Sequence, residues 1–308
     1  MASGRGHTFS GVIAGITVFR PEAGLFFALL DYLAVEGVQA VIYIDGPVGV
    51  AIDEELLARL RAIPGVELIE SSQNRGIGEG LNALVARAKN LGARRLLLLD
   101  QDSTPSPGLL TALDTGLTSL NAAGENAAAV GPRLVSPQDA SVEFQAPRYR
   151  SMPGIKPRDG FSPVRYLITS GTLLDLAAFD AVGHFRADYV MDAIDVEWCF
   201  RAWSKGFSIW VVEGADMMHR VGHGTVKLGP IRFPAQNLRR MTTYIRNQSH
   251  GLRLAHVPFA WKLRTIIYLP LQIIAYSGHH KQPLRTFMQL VGASWNGFIG
   301  KLGPLRRL

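Results

Sequence analysis

The chain of 308 residues has a single cysteine and no apolar run long enough to cross a membrane. The lone Cys199 excludes an intramolecular disulfide and agrees with a reducing compartment. Residues 1–10 have no apolar stretch typical of a signal peptide, and the apolar segment 265–278 is too short to span a bilayer. We therefore expect a soluble or peripheral protein in the cytoplasm.

Acidic residues are absent from the last ninety positions. Residues 1–218 hold 18 basic and 25 acidic residues, whereas residues 219–308 hold 14 basic residues and neither Asp nor Glu. An ordinary soluble surface mixes both signs of charge. With its interspersed aromatics and leucines, this segment is typical of contact with an anionic membrane, an anionic substrate or nucleic acid. A helical extension that packs on the domain or forms a dimer is the alternative.

Strand and helix patterns alternate as far as residue 218, joined mostly by short connections. This alternation predicts an α/β fold with a largely parallel sheet covered by helices on both faces. The predicted strands are 11–19, 38–44, 66–69, 96–99, 128–135, 166–174 and 207–213. Gly171 interrupts the sixth of these strands and indicates the close approach of another group.

A pair of carboxylates follows the most apolar strand. Four leucines at 96–99 precede Asp100 and Asp102, which would project into the crevice where open α/β sheets bind ligands. Two adjacent carboxylates repel each other unless a cation lies between them. Mg²⁺ or Mn²⁺ holding a diphosphate is one interpretation. The other is a strand-to-turn junction in which Asp102 or Ser103 caps the next helix.

Three further stretches carry candidate functional residues. Asp45 ends the second strand, where it could read a nucleotide base or form a turn before glycine. The glycine-rich stretch 74–82 has Leu81 where the dinucleotide fingerprint requires its third glycine, so it predicts either a turn that approaches a nucleotide or a plain loop. Asp192 and Asp195 are three apart and are expected to share one face at a helix start.

In this order and spacing, the motifs resemble those of the family 2 glycosyltransferases, and most closely their bacterial rhamnosyltransferase branch. The resemblance covers residues 11 to about 252 and rests on Asn74-Arg75-Gly76, Gly80 and Asn82, Asp100-x-Asp102, Asp195-x-Glu197-Trp198-Cys199-x-Arg201 and His219-x-x-Gly222. It implies a GT-A fold, with a nucleotide-sugar-binding and catalytic domain at 1–218 and a basic, mainly helical extension at 219–308.

The resemblance also implies roles for individual residues. The positions that match nucleotide-sugar contacts are Thr17, Asp45, Asn74, Arg75, Gly76, Asp100 and Arg246, the last within Tyr244-x-Arg246-Asn247. Phe19-Arg20 replaces the Tyr-Asn usual in the family. The implied ligands of Mn²⁺ or Mg²⁺ are Asp102, His219 and Asp100. Asp195 matches the catalytic base, and Asp192 competes for that role because Ile194 replaces the usual first acid of the pair.

The implied activity is inverting transfer of L-rhamnose from dTDP-L-rhamnose to a hydroxyl of a cell-surface polysaccharide or lipid-linked glycan. A UDP-galactofuranose or other hexose donor is the alternative within the class. The enzyme would contact the anionic inner face of the cytoplasmic membrane and no nucleic acid, and its oligomeric state is left open. A nucleotidyltransferase and a non-catalytic membrane or nucleic-acid binder are more distant alternatives.

Overall fold

The computed structural model describes residues 11–136, 149–218 and 224–304. The helices are α1 (Ala23–Val35), α2 (Glu54–Arg61), α3 (Ile77–Asn90), α4 (Leu109–Ala122), α5 (Leu176–Val182), α6 (Ile194–Ser204), α7 (Leu238–Gly251), α8 (Phe259–His279) and α9 (Pro283–Ile299). The strands are β1 (Val12–Val18), β2 (Ala40–Ile44), β3 (Val66–Glu70), β4 (Arg95–Asp100), β5 (Thr104–Pro105), β6 (Ala127–Val135), β7 (Phe161–Pro163), β8 (Thr172–Asp175), β9 (Ser208–Met218), β10 (Thr225–Leu228) and β11 (Ile231–Pro234).

Among the described residues, β1 to β9 form one sheet in the order β3-β2-β1-β4-β8-β6-β9-β5, with β7 beside β9. The first four strands of this order are parallel, β8 runs antiparallel to both of its neighbours, and β6 and β9 are parallel. The predicted α/β architecture with a mostly parallel sheet is therefore confirmed.

The leucines of β4 explain why the sheet is buried on both faces. Alternate side chains of a strand point to opposite faces. Leu97 and Leu99 accordingly join the hydrophobic core on one side of the sheet, and Leu96 and Leu98 join the core on the other. An uninterrupted apolar run thus supplies both cores, and the chain reaches solvent only at Asp100.

Three strand ends meet at one edge of the sheet. Thr17, at the end of β1, pairs in register with Asp100 at the end of β4. The backbone N–H of Asp45, just past β2, donates to the carbonyl of Val18 at 2.9 Å. Side chains that are far apart in the sequence are thereby brought to the carboxyl edge, where α/β sheets bind ligands.

Two sequence-based expectations about local structure are wrong. Of the expected strand 166–174 only residues 172–174 are extended, within β8, because Gly171 adopts a left-handed φ of +83° that interrupts extended backbone. A Cβ on Gly171 would lie 2.8 Å from Pro132, so the expected close approach is confirmed.

Helix α6 begins at Ile194, because Asp192 and Ala193 also have left-handed φ values, of 60° and 63°. Asp192 and Asp195 therefore do not share a helix face.

The C-terminal part consists of the β10–β11 hairpin followed by α7, α8 and α9. A small core that includes Ile245, Leu269, Ile273 and Leu290 joins these helices. Helices α7 and α9 approach so closely that a Cβ on Gly297 would lie 1.9 Å from the carbonyl oxygen of Arg246. No helix in the described part of the chain is long and apolar enough to cross a bilayer.

Candidate active site

A tight turn fixes the two aspartates that follow β4. The backbone N–H of Ser103 donates to the carbonyl of Asp100 at 3.0 Å, and the backbone N–H of Asp100 donates to Oγ of Ser103 at 2.9 Å. The Ser103 hydroxyl is buried and lies 2.6 Å from that of Ser170, just before β8. These contacts hold Asp100 at the sheet edge and leave Asp102 exposed. The sequence indicated Ser103 only as a possible helix cap and gave Ser170 no role.

Asp100 lies where negative charge accumulates. Its pKa is raised to about 6, first by burial and then by the neighbouring carboxylates of Asp102 and Asp195, against the opposing effects of Arg240 and of a hydrogen bond from Ser170. The single positive charge of Arg240 does not balance the three carboxylates, so the site keeps an excess of negative charge. The structure therefore brings the predicted metal-site aspartates and the predicted base to one place, where a cation would be stabilised.

The ligand set fits a hard divalent cation in part. Asp100 and Asp102 supply the carboxylate oxygens that Mg²⁺ and Mn²⁺ prefer, and Mg²⁺ commonly completes its coordination with water and substrate phosphate. Residues 11–136, 149–218 and 224–304 contain no cluster of three or more His, Cys, Asp or Glu side chains able to hold a metal. The third predicted ligand, His219, lies outside the described residues, as does Gly222.

Asp45 organises the turn that precedes α3. Its buried carboxylate accepts the backbone N–H of Arg75 at 2.7 Å and that of Gly76 at 3.0 Å, and its carbonyl accepts Nδ2 of Asn74 at 3.2 Å. Burial raises the pKa of Asp45, although these donors oppose the shift. The turn leaves the side chain of Arg75 exposed, and a Cβ on Gly80 further along would lie 3.0 Å from the side chain of Thr17 near the end of β1.

The alternating glycines of the 74–82 stretch allow close packing. A Cβ on Gly76 would lie 2.4 Å from the carbonyl oxygen of Val190, and one on Gly78 would lie 2.7 Å from that of Arg186. A Cβ on Gly80 would lie 2.7 Å from the ring of Tyr43 on β2. The glycines thus seat α3 against β2 and against the segment that leads to α6. In the sequence, the signal for this packing role was the spacing of these glycines, which departs from the dinucleotide fingerprint.

Asp195 lies in the first turn of α6. One of its carboxylate oxygens accepts the backbone N–H of Val196 at 2.8 Å, and Thr169 supplies another backbone donor. Burial nevertheless raises its pKa to about 6. Burial and the charge of Asp195 together raise the pKa values of the nearby Tyr149 and Tyr166. A carboxyl group with this pKa changes protonation close to neutral pH.

Asp192 is held by an arginine that sequence reasoning missed. Its Oδ1 accepts from Nε of Arg240 at 3.0 Å, while its buried Oδ2 has no hydrogen-bond partner among the described residues. Burial raises the pKa of Asp192, and Arg240 opposes that shift. Arg240 therefore links Asp192 to the Asp100 environment. The available signal was the Arg239-Arg240 pair in the acid-free segment.

The backbone before α6 is strained. Val190 has φ 65° and ψ −54°, and the N–H of Met191 donates to the carbonyl of Tyr189 at 2.7 Å, which is the geometry of a rare γ-turn. Three of the four residues from Val190 to Ala193 have positive φ without being glycine. Conformations of this kind cost about 1–3 kcal/mol each and persist where surrounding contacts enforce them.

Arg246 and Asn247 on α7 provide those contacts. Nδ2 of Asn247 donates to the carbonyls of Tyr189, Met191 and Asp192 at 3.0, 2.7 and 3.0 Å. Arg246 is 3% exposed and donates to the carbonyls of Tyr189 and Gly303. The structure thus does not bring the Arg246 guanidinium to the carboxylates, and it assigns this pair to holding the strained turn.

Comparisons with known proteins agree with this geometry. No family model matches the chain. The chain is 24% identical over 300 residues to the dTDP-rhamnosyl transferase RfbF of Shigella flexneri, a match that covers 96% of this chain and 97% of that protein. It also resembles S. aureus TarS in complex with UDP-GlcNAc, with TM-score 0.58 and 13% identity over 93% of this chain and 81% of that one.

A second structural relative is GalNAc-T7 with UDP, GalNAc and Mn²⁺. The TM-score is 0.57 at 11% identity, and the match covers 92% of this chain but 57% of the length of GalNAc-T7. The chain has the GT-A fold. Its similarity to a dTDP-rhamnosyl transferase over nearly the whole of both chains confirms the resemblance recognised from its motifs.

Proposed function

We propose that the protein is an inverting, metal-assisted glycosyltransferase that moves L-rhamnose from dTDP-L-rhamnose to a hydroxyl of a cell-surface or lipid-linked glycan. The observation that carries the proposal is the meeting of Asp100, Asp102 and Asp195 at the carboxyl edge of the sheet, close to the Asp45–Arg75 turn. Nucleotide, diphosphate and acceptor would then occupy neighbouring parts of one crevice.

On the donor side, the Asn74–Arg75 turn before α3 binds the nucleotide and the aspartates after β4 face its diphosphate. Asp45 keeps Asn74 and Arg75 in place by accepting hydrogen bonds from the Asn74 amide and the Arg75 backbone N–H. The guanidinium of Arg75 takes no part in these bonds, and its exposed N–H groups suit phosphate oxygens. Asp100 and Asp102 would hold Mn²⁺ or Mg²⁺. When bound, this ion supplies stabilisation of the negative charge that develops on the leaving diphosphate.

On the acceptor side, Asp195 removes the proton from the attacking hydroxyl. General-base assistance of this kind contributes about 10²- to 10⁴-fold in rate, and it is most effective when the pKa of the base lies near the working pH. The pKa of about 6 for Asp195 meets that condition. A single base opposite the leaving group gives displacement with inversion. Asp192, already paired with Arg240, is the competing candidate.

Of an aromatic cluster near Asp195, Tyr166 and Trp261 are partly exposed and would present a surface to a sugar ring, whereas Phe200 is buried behind them. Trp261 on α8 lies 5.6 Å from Tyr166 and 5.2 Å from Phe200 between ring centroids, and the charge of Asp195 acts on Tyr166. Aromatic faces offer apolar contact area at low entropic cost and suit the C–H faces of sugars. This placement supports a glycan acceptor.

The relatives of the chain indicate which nucleotide sugar is the donor. RfbF is named a dTDP-rhamnosyl transferase, and its match spans nearly the whole of both chains, which favours dTDP-L-rhamnose. TarS and GalNAc-T7 were solved with UDP ligands, which supports a UDP-hexose as the second candidate. The lipid-linked acceptor would place the reaction at the inner face of the cytoplasmic membrane.

Thermal unfolding with nucleotide sugars and Mn²⁺ tests the proposal. A ligand at about 100 times its Kd stabilises the folded protein by about 2.7 kcal/mol, so dTDP-L-rhamnose should raise the Tm more than UDP-galactofuranose or UDP-GlcNAc. The Asp102→Asn variant should lose the part of the shift that needs Mn²⁺. A larger shift with a UDP-sugar would select the second donor. Diphosphate release from dTTP, with no response to any nucleotide sugar, would reject a glycosyltransferase.

A further inference from the structure

Helix α9 has two apolar faces, of which only one is covered by protein. Thr286, Leu290, Ala293 and Gly297 are buried and recur at the spacing of one helix face, which packs against α7. The opposite face is lined by large apolar side chains that remain in solvent: Leu284, Phe287, Met288, Val291, Trp295 and Phe298. At 100° per residue these six positions fall within an arc of about 100°. We call them the α9 stripe.

Helix α8, which contacts α9, leaves a similar surface uncovered. Its buried face includes Leu269, Ile273 and Tyr276, which join the C-terminal core. Its exposed apolar side chains are Phe259, Leu263, Ile266, Ile267 and Ile274, and these form the α8 stripe. The exposures reach 80% at Phe259, 76% at Leu284 and 59% at Trp295, so the stripes are more than incidental surface residues.

The charges around the stripes have one sign. Lys262 and Arg264 lie on α8, Lys281 and Arg285 lie at the start of α9, and Lys301 follows α9. No acidic residue follows Asp216 in the sequence. A second copy of this chain would bring the same bases face to face without acids to neutralise them. An anionic lipid surface offers both complementary charge and an apolar layer for the stripes.

We propose that the α8 and α9 stripes form a docking surface for an anionic lipid bilayer, with the helices lying in the interface. Trp295 and Phe298, stacked with centroids 6.0 Å apart, enter the boundary between headgroups and acyl chains, where Trp is favoured. The flanking bases contact lipid phosphates. The surface rests on the proposed function in one respect, because it would hold the enzyme where a lipid-linked acceptor lies. It does not depend on which sugar or nucleotide the enzyme uses.

Flotation of the full chain with vesicles tests this surface. We expect binding to phosphatidylglycerol–phosphatidylethanolamine vesicles and little binding to phosphatidylcholine vesicles. Each large apolar side chain withdrawn from the interface should cost roughly tenfold in partitioning, so the triple variant Leu284→Gln, Met288→Gln, Trp295→Gln should bind at least about 100-fold more weakly. Lys281→Gln with Arg285→Gln should lose about fivefold per charge. The matched controls Val35→Gln and Val50→Gln alter exposed valines near α1 and α2, and they should bind as the wild type does.

A second measurement does not depend on the fold of a triple variant. Lipids brominated on their acyl chains should quench the fluorescence of the wild type, and Trp295→Phe should remove most of that quenching. Of the other four tryptophans, Trp198 and Trp210 are buried, Trp203 on α6 bonds to the carbonyl of Val164, and Trp261 packs against Tyr166 and Phe200. Equal binding to neutral and anionic vesicles, no binding at all, or unchanged quenching in Trp295→Phe would overturn the proposal. So would self-association by ultracentrifugation that the triple variant abolishes without any lipid binding. The donor-induced Tm shift should be the same in the stripe variants, so its absence in the wild type would count against the proposed donor and not against the docking surface.

Discussion

Replacing the proposed base should make the protein more stable while it removes activity. Burial raises the pKa of Asp195 from 3.8 to about 6, so the folded state favours the neutral carboxyl and ionisation opposes folding. The cost is absent below the unfolded pKa, grows as pH rises through the window from about 4 to 6, and is constant above it. At about 1.4 kcal/mol per pKa unit, it amounts to about 3 kcal/mol near pH 7.5. Asp195→Asn removes this charge but keeps an oxygen to accept the N–H of Val196.

Urea unfolding of the metal-free protein measures this effect. We expect the free energy of unfolding of Asp195→Asn to exceed that of the wild type by about 2–3 kcal/mol at pH 7.5, and the difference to shrink toward zero at about pH 4. Asp31→Asn is the matched control, because this exposed aspartate on α1 lies away from the carboxylates of the site and its replacement should change stability by less than about 0.5 kcal/mol. Equal stability of wild type and Asp195→Asn at pH 7.5, or a difference independent of pH, would refute the reasoning.

Three further predictions concern turnover, the strained turn and the glycine contacts. Turnover should fall about tenfold per pH unit below about pH 6 as the base takes up its proton, and a pH–rate profile flat to pH 5 would contradict this. Asn247→Ala removes three hydrogen bonds from the turn before α6 and should cost about 3 kcal/mol of stability together with a lower kcat, whereas the exposed Asn296→Ala should cost neither. Gly78→Ala forces a Cβ against the Arg186 carbonyl and should lose about 1–3 kcal/mol in urea unfolding, whereas Gly24→Ala, with open space around it, should not destabilise.

The sheet was predictable because its signals are local. The leucine run of β4 and the acids at the ends of β2 and β4 follow from period-two burial and from the place where parallel strands reach solvent. The register that sets Thr17 beside Asp100 then follows from parallel pairing. The meeting of Asp100, Asp102 and Asp195 was implied by the motif order, and it depends on contacts about a hundred positions apart in the sequence.

The turn before α6 was not predictable from local pattern. Val190 and Ala193 have no intrinsic preference for a left-handed φ, and Asp192 has only a modest one, so a helix beginning at Asp192 was the simpler interpretation. The conformation is enforced from α7, more than fifty positions away, by Asn247 and Arg246. The same long-range dependence explains why Arg246 was assigned to a nucleotide-sugar contact and why Arg240 was overlooked.

The exposed apolar faces of α8 and α9 could be predicted only in part from the sequence. The absence of acids from residues 219–308 indicated an anionic partner and left the membrane and dimer alternatives open. Period alone does not tell a buried helix face from an exposed one when both are apolar. The packing of Leu290 and Ala293 against α7 identifies the covered face of α9 and therefore leaves Trp295 in solvent.

Sugar transfer by Asp195→Asn beside Asp192→Asn, with dTDP-L-rhamnose and Mn²⁺, tests the central claim most directly. The account predicts that Asp195→Asn retains the donor-induced Tm shift but loses about 10²- to 10⁴-fold in kcat, while Asp192→Asn retains the greater part of its turnover. Near-normal turnover of Asp195→Asn, with the loss falling on Asp192→Asn, would contradict it.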